Sequence, residues 1–537
     1  MKTLFVLFLL FLLFLMVNSW AQINTIIPKP IKVHECGTGE FLISEKIPIL
    51  YDAPLELSAN FFKQYVAEKY QLSLPVKMVG SKKNLKSSIH LSLKSDAPEG
   101  HYLLMIDKNG VQITGSESGV FYGVQSLIQL LPTSEPTKKR ELLVPYMNIA
   151  DAPRFVYRGL MLDVSRHFFP VEFVKKCIDI AAYHKMNYFH LHLTDDQGWR
   201  IEIKKYPKLN GIGSWRNGTM IGQWPGTGND SIRHGGFYTQ GQIRDLVAYA
   251  QKRYITIVPE IEMPGHSLAA LAAYPNLGCT GGPYQVKESW GITDDVYCAG
   301  NDSVFTFLQG IIDEVIDIFP SKYIHIGGDE CRKDRWKACP KCQKRIKTEH
   351  LKDEHELQSY FVTRMEKYIN SKGRTIIGWD EILEGGIAPN AVVMSWRGDG
   401  TQGLEGALRA KHPVIFTPSY GFYLDYPQTS HEDSLAANWG GVTSVKKSYL
   451  IEPITDSVKS EDLRLILGAQ TNIWTEYMSN PAKVEYMMLP RLSAISEVLW
   501  SPKESRNWDD FKNRMEFQYQ RYQWWGYAYN PVPADNE

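Results

Sequence analysis

The chain has 537 residues, and its 59 basic and 59 acidic side chains leave no formal net charge. Without a long basic run, that balance argues against nucleic acid or an acidic membrane surface as a partner. Aromatic residues make up 12%, with 14 tryptophans, whose flat, rigid rings suit both cores and planar ligand faces.

Lys2 precedes an apolar run from Leu4 to Val17, and Ser19-Trp20-Ala21 offers a small-x-small cleavage site. The run is shorter than the ~20 residues a spanning helix needs, so residues 1–21 read as an export signal. The mature chain is expected to begin near Gln22 and to work in a periplasmic or secreted setting, with a bacterial host preferred. No second run of spanning length follows, so no transmembrane segment is expected.

Residues 22–150 read as a smaller α+β domain. Ile89–Leu93, Tyr102–Ile106 and Val111–Thr114 alternate like strands, and Lys108-Asn109-Gly110 signals a hairpin turn between the last two. Leu55–Tyr70 and Val120–Leu131 have helical spacing. Pro132–Arg140 is polar and carries two prolines, as a linker does.

From residue 151 to 505 short apolar runs alternate with helical patterns. Eight strands are predicted: Gly159–Val164, Tyr188–Leu193, Ile255–Ile261, Tyr323–Ile326, Thr375–Trp379, Val392–Trp396, Val414–Thr417 and Leu465–Thr471. Helices are predicted at Val171–His184, Gln240–Lys252, Val304–Ile318, Glu356–Ser371 and Glu485–Trp500. Only 419–461 looks irregular, and its length suggests a binding loop. The fold class is therefore α/β, a (β/α)8 TIM barrel preceded by the α+β domain. Residues 506–537 read as a helical segment packed on the barrel.

Chemistry in such barrels lies at the C-terminal strand ends. Those ends carry Asp163 and Arg166; Asp195 and Asp196; Glu260, Glu262 and His266; and Asp329 and Glu330. The later ends carry Trp379 and Asp380; Trp396 and Arg397; Tyr420, Tyr423 and Asp425; and Trp474 and Glu476. Carboxylates can protonate a leaving oxygen and hold hydroxyls, Arg donates two fixed hydrogen bonds, and tryptophans wall a pyranose. Adjacent sheltered carboxyls such as Asp329 and Glu330 cannot both ionise cheaply, which equips the pair for acid catalysis beside a fixed charge. The set favours a glycoside hydrolase pocket.

The motifs resemble those of β-N-acetylhexosaminidases, glycoside hydrolase family 20. Arg158-Gly159-Leu160-Met161-Leu162-Asp163 with Arg166 resembles the family's first barrel strand. His190-Leu191-His192-Leu193-Thr194-Asp195-Asp196 resembles the second, Pro259-Glu260-Ile261-Glu262-Met263-Pro264-Gly265-His266 the third, and His325-Ile326-Gly327-Gly328-Asp329-Glu330 the fourth. Gly378-Trp379-Asp380-Glu381, Ser395-Trp396-Arg397-Gly398, Tyr423-Leu424-Asp425 and Asn472-Ile473-Trp474-Thr475-Glu476 continue it in order, and Ile27-Pro28-Lys29-Pro30 resembles the family's opening.

The resemblance implies an exo-acting, retaining hydrolase of terminal β-linked N-acetylglucosamine, with N-acetylgalactosamine left open. Its partner is an oligosaccharide or glycoconjugate, and it needs no cofactor and no metal. The attacking group is the substrate's own 2-acetamido oxygen. Glu330 becomes the general acid and base, and Asp329 the fixed anion on the acetamido N–H. Tyr423 aims the acetamido oxygen, and Trp379, Trp396 and Trp474 enclose it. Arg166, Asp425 and Glu476 hold ring hydroxyls; for Arg166 an ion pair with Asp163 is the plain alternative. His266, oriented by Asp195, holds Glu330, and Trp439 stacks on the leaving sugar.

The resemblance also implies a disulfide between Cys279 and Cys298. Cys339-Pro340-Lys341-Cys342 resembles half a zinc ribbon, but no second half is evident. A second disulfide within Cys331, Cys339 and Cys342 is therefore expected in preference to a metal, with the pair left open. Cys36 and Cys177 are expected to be free. Two rival classes remain: a metal-dependent barrel hydrolase, suggested by His190-x-His192, and a silent amino-sugar-binding protein. The first is disfavoured because Trp379 and Trp396 cannot ligate, the second because Asp329, Glu330 and Tyr423 are all present.

Overall fold

The computed structural model describes residues 25–79, 87–134, 141–430 and 435–531. The predicted leader and residues 135–140 of the 132–140 linker lie outside them. The chain divides into two units, residues 1–154 with 496–527, and residues 155–495 with 528–537.

The first unit carries a seven-stranded sheet. Its strands are β1 (Lys32–Ser44), β2 (Ile49–Tyr51), β3 (Val76–Met78), β4 (Ser88–Leu93), β5 (Tyr102–Asp107), β6 (Gly110–Gly115) and β7 (Glu141–Asp151), in the order β1-β7-β5-β6-β4-β2-β3. β5 shows why it is a strand: Tyr102, Leu104 and Ile106 are buried while Leu103 and Met105 face out. The predicted hairpin forms, with Asp107 opposite Gly110 across a two-residue turn. Helices Glu56–Tyr70 and Glu117–Leu130 match expectation, the second capped by Ser116, whose hydroxyl accepts from Gly119 N–H.

The closing helix Trp508–Trp525 falls within this first unit. The cause is ionic. Arg514 is buried and donates to Glu497 Oε2 at 2.6 Å, to Glu497 Oε1 at 2.8 Å and to the backbone oxygen of Ile26 at 2.9 Å. A buried guanidinium needs such partners, and residues 26 and 497 supply them.

The second unit is a closed parallel barrel of eight strands. They are β8 (Tyr157–Asp163), β9 (Tyr188–His192), β10 (Thr256–Glu260), β11 (Tyr323–His325), β12 (Thr375–Trp379), β13 (Val392–Ser395), β14 (Val414–Phe416) and β15 (Ile466–Ile473). Each answers to a predicted strand. They read as apolar runs because a barrel strand is covered on both faces; every residue of β8 is buried. Tyr157, Val258, Ile377, Trp379, Val392, Met394 and Ile415 pack together in its interior. β15 closes against β8 with the help of Gly468, where a Cβ would lie 1.9 Å from the Tyr157 carbonyl oxygen.

Helices Val171–Tyr183, Gln240–Gln251, Asp302–Ile318 and Glu354–Ser371 fall where predicted. The predicted helix 485–500 is two helices, Pro481–Met488 and Arg491–Trp500. Pro490 has no N–H to continue the ladder, so the chain breaks there. Residues 419–461 hold two short helices, Ser419–Phe422 and Val445–Leu450, and the start of the 3-10 helix Ser460–Leu465 among irregular chain, with 431–434 outside the described residues.

Candidate active site

The fourth strand delivers the two carboxylates. β11 stops at His325, and Gly327 and Gly328 follow with φ of +67° and +96°. A Cβ on Gly327 would lie 1.8 Å from Glu262 Oε2, so only glycine lets this backbone pass. Glu330 itself sits at φ +47° and His266 at +44°, conformations that cost a non-glycine residue energy and collect at working sites.

His266 Nε2 lies 3.4 Å from Asp329 Oδ2 and 3.3 Å from Glu330 Oε2. Its Nδ1 lies 3.2 Å from Asp195 Oδ1 and 3.5 Å from Asp196 Oδ2. Burial works against a charge on this ring, but Asp195 and Asp329 outweigh it and hold the imidazole well above its usual value. His266 is therefore a fixed cation between its carboxylates at neutral pH.

Arg166 Nη2 meets Asp195 Oδ2 at 2.8 Å, while Nη1 lies 3.5 Å from Asp163 and 3.9 Å from Glu476 Oε1. The guanidinium also lies over the Trp474 ring, 4.9 Å from its centroid. The Asp163 pair thus exists, but the shorter contact is with Asp195. Asp163 serves mainly to knit strand ends, accepting from Ser165 N–H at 2.8 Å and from Thr475 N–H and hydroxyl at 3.0 Å. Burial opposes charge on Asp195, yet Arg166 and His266 keep it well below the usual carboxylate range.

Three predicted tryptophans and Tyr423 come together. Trp379 and Trp474 centroids are 5.8 Å apart, and Trp474 and Tyr423 6.1 Å. Trp396 stacks with Tyr423 at 6.2 Å and 13°. Trp396 donates its indole N–H to Glu381 Oε2 at 2.9 Å. Asp425 is buried, and burial followed by the charge of Glu476 raises it well above the carboxylate range. Glu476 is also raised, by burial against the pull of Arg166. Asp329 Oδ1, Glu262 Oε2 and Asp425 Oδ1 are buried with no hydrogen-bond partner among the described residues. Trp439 stands apart on the rim, 54% exposed and 6.1 Å from Tyr477.

Sequence reasoning named Glu260 and Glu262 without giving either a role. Glu260 is a hub under the pocket. Trp379 Nε1–H donates to its Oε1 at 3.0 Å, and His325 Nδ1 lies 2.8 Å from the same oxygen. His190 Nε2 lies 2.9 Å from Oε2, to which His192 also hydrogen-bonds. Burial pushes His190 down to about 4, so it is neutral. Burial also opposes charge on His192, but Glu260 and Asp195 push it up to about 10. Glu262 is driven well above the usual carboxylate range by burial and then by Asp329, which keeps it neutral. Within the group His190, Glu260 and His325, Glu260 Oε1 already accepts from the Trp379 N–H, which can only donate.

The disulfide expected between Cys279 and Cys298 is not formed, and all seven cysteines are free. Cys279, Cys298, Cys339 and Cys342 instead converge on one point, with Cys331 outside the group.

Residues 155–503 match the catalytic domain of glycosyl hydrolase family 20, and residues 24–152 match that family's domain 2. A beta-hexosaminidase of Porphyromonas gingivalis is 45% identical across 95% of this chain, which spans 64% of that relative's length. One from Vibrio furnissii is 36% identical over 88% of this chain and 76% of its own. A crystal structure of an exo β-N-acetylglucosaminidase from Vibrio harveyi, in complex with N-acetylglucosamine, is similar at a TM-score of 0.85. It has 30% identity and covers 95% of this chain and 78% of that one. With both of its domains matched in order, the chain belongs to glycosyl hydrolase family 20.

Proposed function

We propose that this protein is an exo-acting, retaining β-N-acetylhexosaminidase that releases terminal non-reducing N-acetylglucosamine by substrate-assisted catalysis. One observation carries the reading: Arg166, Asp195 and His266 form an unbroken ionic line that ends on Asp329 and Glu330 beside an aromatic slot. The same line joins the group that would hold the ring hydroxyls to the group that would move the proton.

In the reaction the acetamido carbonyl oxygen attacks C1 and closes an oxazolinium ring. Glu330 gives its proton to the leaving oxygen, then removes one from the water that reopens the ring. Asp329 accepts the acetamido N–H and faces the positive charge that develops. Tyr423 donates to the carbonyl oxygen, and Trp379, Trp396 and Trp474 exclude water from the methyl. Arg166 grips two ring hydroxyls, with Asp425 and Glu476 beside it. A floor so occupied by charge blocks a further sugar, which makes cleavage terminal. Trp439 and Tyr477 offer the leaving sugar a face at the rim.

The test compares chromogenic 2-acetamido and 2-hydroxy β-glucosides. Hydrolysis of the first only, with retained configuration by NMR, is expected. Equal rates on both would sink the proposal. Glu330→Gln should bind N-acetylglucosamine and turn nothing over. The leader of residues 1–21 supports export, and a secreted product starting near Gln22 by N-terminal sequencing is expected.

A further inference from the structure

Two loops far apart in sequence bring four thiols together. Cys279 and Cys298 bracket the chain after β10, and Cys339 and Cys342 open the helix Pro340–Thr348. The sulfurs of Cys279 and Cys342 are 3.8 Å apart, and Cys298 is 3.7 Å from both Cys339 and Cys342. All four lie within 4.8 Å of one another. A disulfide would need about 2.05 Å between one pair and would leave the others apart. Four sulfurs around a tetrahedral zinc, each about 2.3 Å from it, stand about 3.8 Å from each other.

We propose that Cys279, Cys298, Cys339 and Cys342 bind one zinc ion as four thiolates. Binding removes four thiol protons and forms four Zn–S bonds, with no change of oxidation state. The missing half of the Cys339-x-x-Cys342 ribbon is thus supplied by residues 279 and 298. Three of the sulfurs are buried and Cys279 is partly open, which leaves an entry path.

The surroundings fit a metal site. A Cβ on Gly300 would lie 2.2 Å from the Lys341 carbonyl carbon and 2.4 Å from Cys342 N, so glycine is what lets the first loop close onto the second. Lys337, Lys341 and Lys344 flank the second pair in sequence.

The site would also brace the active site. Tyr297, next to Cys298, donates its N–H to the Pro264 carbonyl at 3.0 Å, two residues before His266. Trp336, three residues before Cys339, donates its indole N–H to the Tyr297 carbonyl at 2.9 Å. The ion would therefore clamp the segment leading out of Glu330 to the loop that follows His266.

The experiment uses the full chain purified without chelator. One zinc per chain by elemental analysis is expected, with all seven thiols titratable after denaturation. Exchange into cobalt(II) should give the intense thiolate-to-cobalt charge-transfer band of a four-sulfur site. Cys342→Ser should lose the metal and melt at lower temperature, while Cys36→Ser should keep both. If Cys342→Ser fails to fold, zinc content and thiol count of the wild type still decide. Protein without zinc that carries disulfides among these four cysteines, or iron in place of zinc, would overturn the proposal. None of these readouts depends on hydrolytic activity.

Discussion

Asp195 spreads its carboxylate over three cations: Oδ2 takes Arg166 at 2.8 Å and His192 Nε2 at 3.0 Å, and Oδ1 faces His266 Nδ1 at 3.2 Å. Replacing it with Asn keeps the shape and removes the charge that all three partners face. The expected outcome is a fall in kcat of about 10- to 100-fold, the usual cost of losing an orienting partner. KM should rise as well, because Arg166 loosens. Steady-state kinetics on a chromogenic substrate would check it; a change in kcat alone would show that Arg166 is held by other contacts.

Arg166→Ala should do more. It strips hydrogen bonds from the sugar and leaves Asp163, Asp195 and Glu476 facing each other without a cation. Breaking a buried pair from one side costs about 3–5 kcal/mol. The variant should therefore melt several degrees lower, and kcat/KM should fall at least 100-fold. Thermal unfolding alongside kinetics separates the two losses.

Gly327→Ala tests the backbone path to the acid. The new methyl meets Glu262 Oε2, and φ of +67° costs an alanine about 1–2 kcal/mol on its own. Activity should drop more than tenfold, and Glu262→Ala in the same chain should restore part of it by removing the clash.

Stability should fall on the alkaline side. His266 has a folded value above its unfolded one, so its contribution is complete below pH ~6.5 and is lost as pH rises through the folded value. Glu262 and Asp425 are raised too; above pH ~4 the unfolded chain ionises them first, which pulls in the same direction. Asp195 acts oppositely, contributing above pH ~4 and losing its share as pH falls through its depressed value. Melting temperature should peak in weak acid and decline toward pH 9. Glu262→Gln should flatten that decline.

Glu381 holds the Trp396 indole at 2.9 Å, and its own carboxyl is raised by burial and then by Asp329. Trp396→Ala opens the slot on one side. Losing the burial of one aromatic face, about 2–3 kcal/mol, should reduce kcat/KM about 30- to 150-fold. The variant should also accept bulkier N-acyl groups relatively better than the wild type, which a series of N-acyl glycosides would measure.

Much of this architecture was legible in the sequence, for physical reasons. Barrel strands are covered on both faces, so they stand out as apolar runs, and each ends in polar side chains that have only the pocket to face. Arg166, His266, Asp329, Glu330, Tyr423 and the tryptophans could be read one strand end at a time. Glu260 could not, because its meaning lies in His190, His192, His325 and Trp379 arriving from three other strands. The cysteines failed in the same way: Cys279 and Cys342 are 63 positions apart, and only the folded chain puts their sulfurs side by side. The break at Pro490 was visible in the letters, and the helical spacing on either side obscured it.

Glu260 has both carboxylate oxygens occupied by groups from strands β9, β11 and β12. Such a knot cannot slip by a rotamer without stranding several polar atoms at once. The base of the cup should then keep one shape whether or not a sugar sits in it, so whatever motion accompanies product escape must come from the rim.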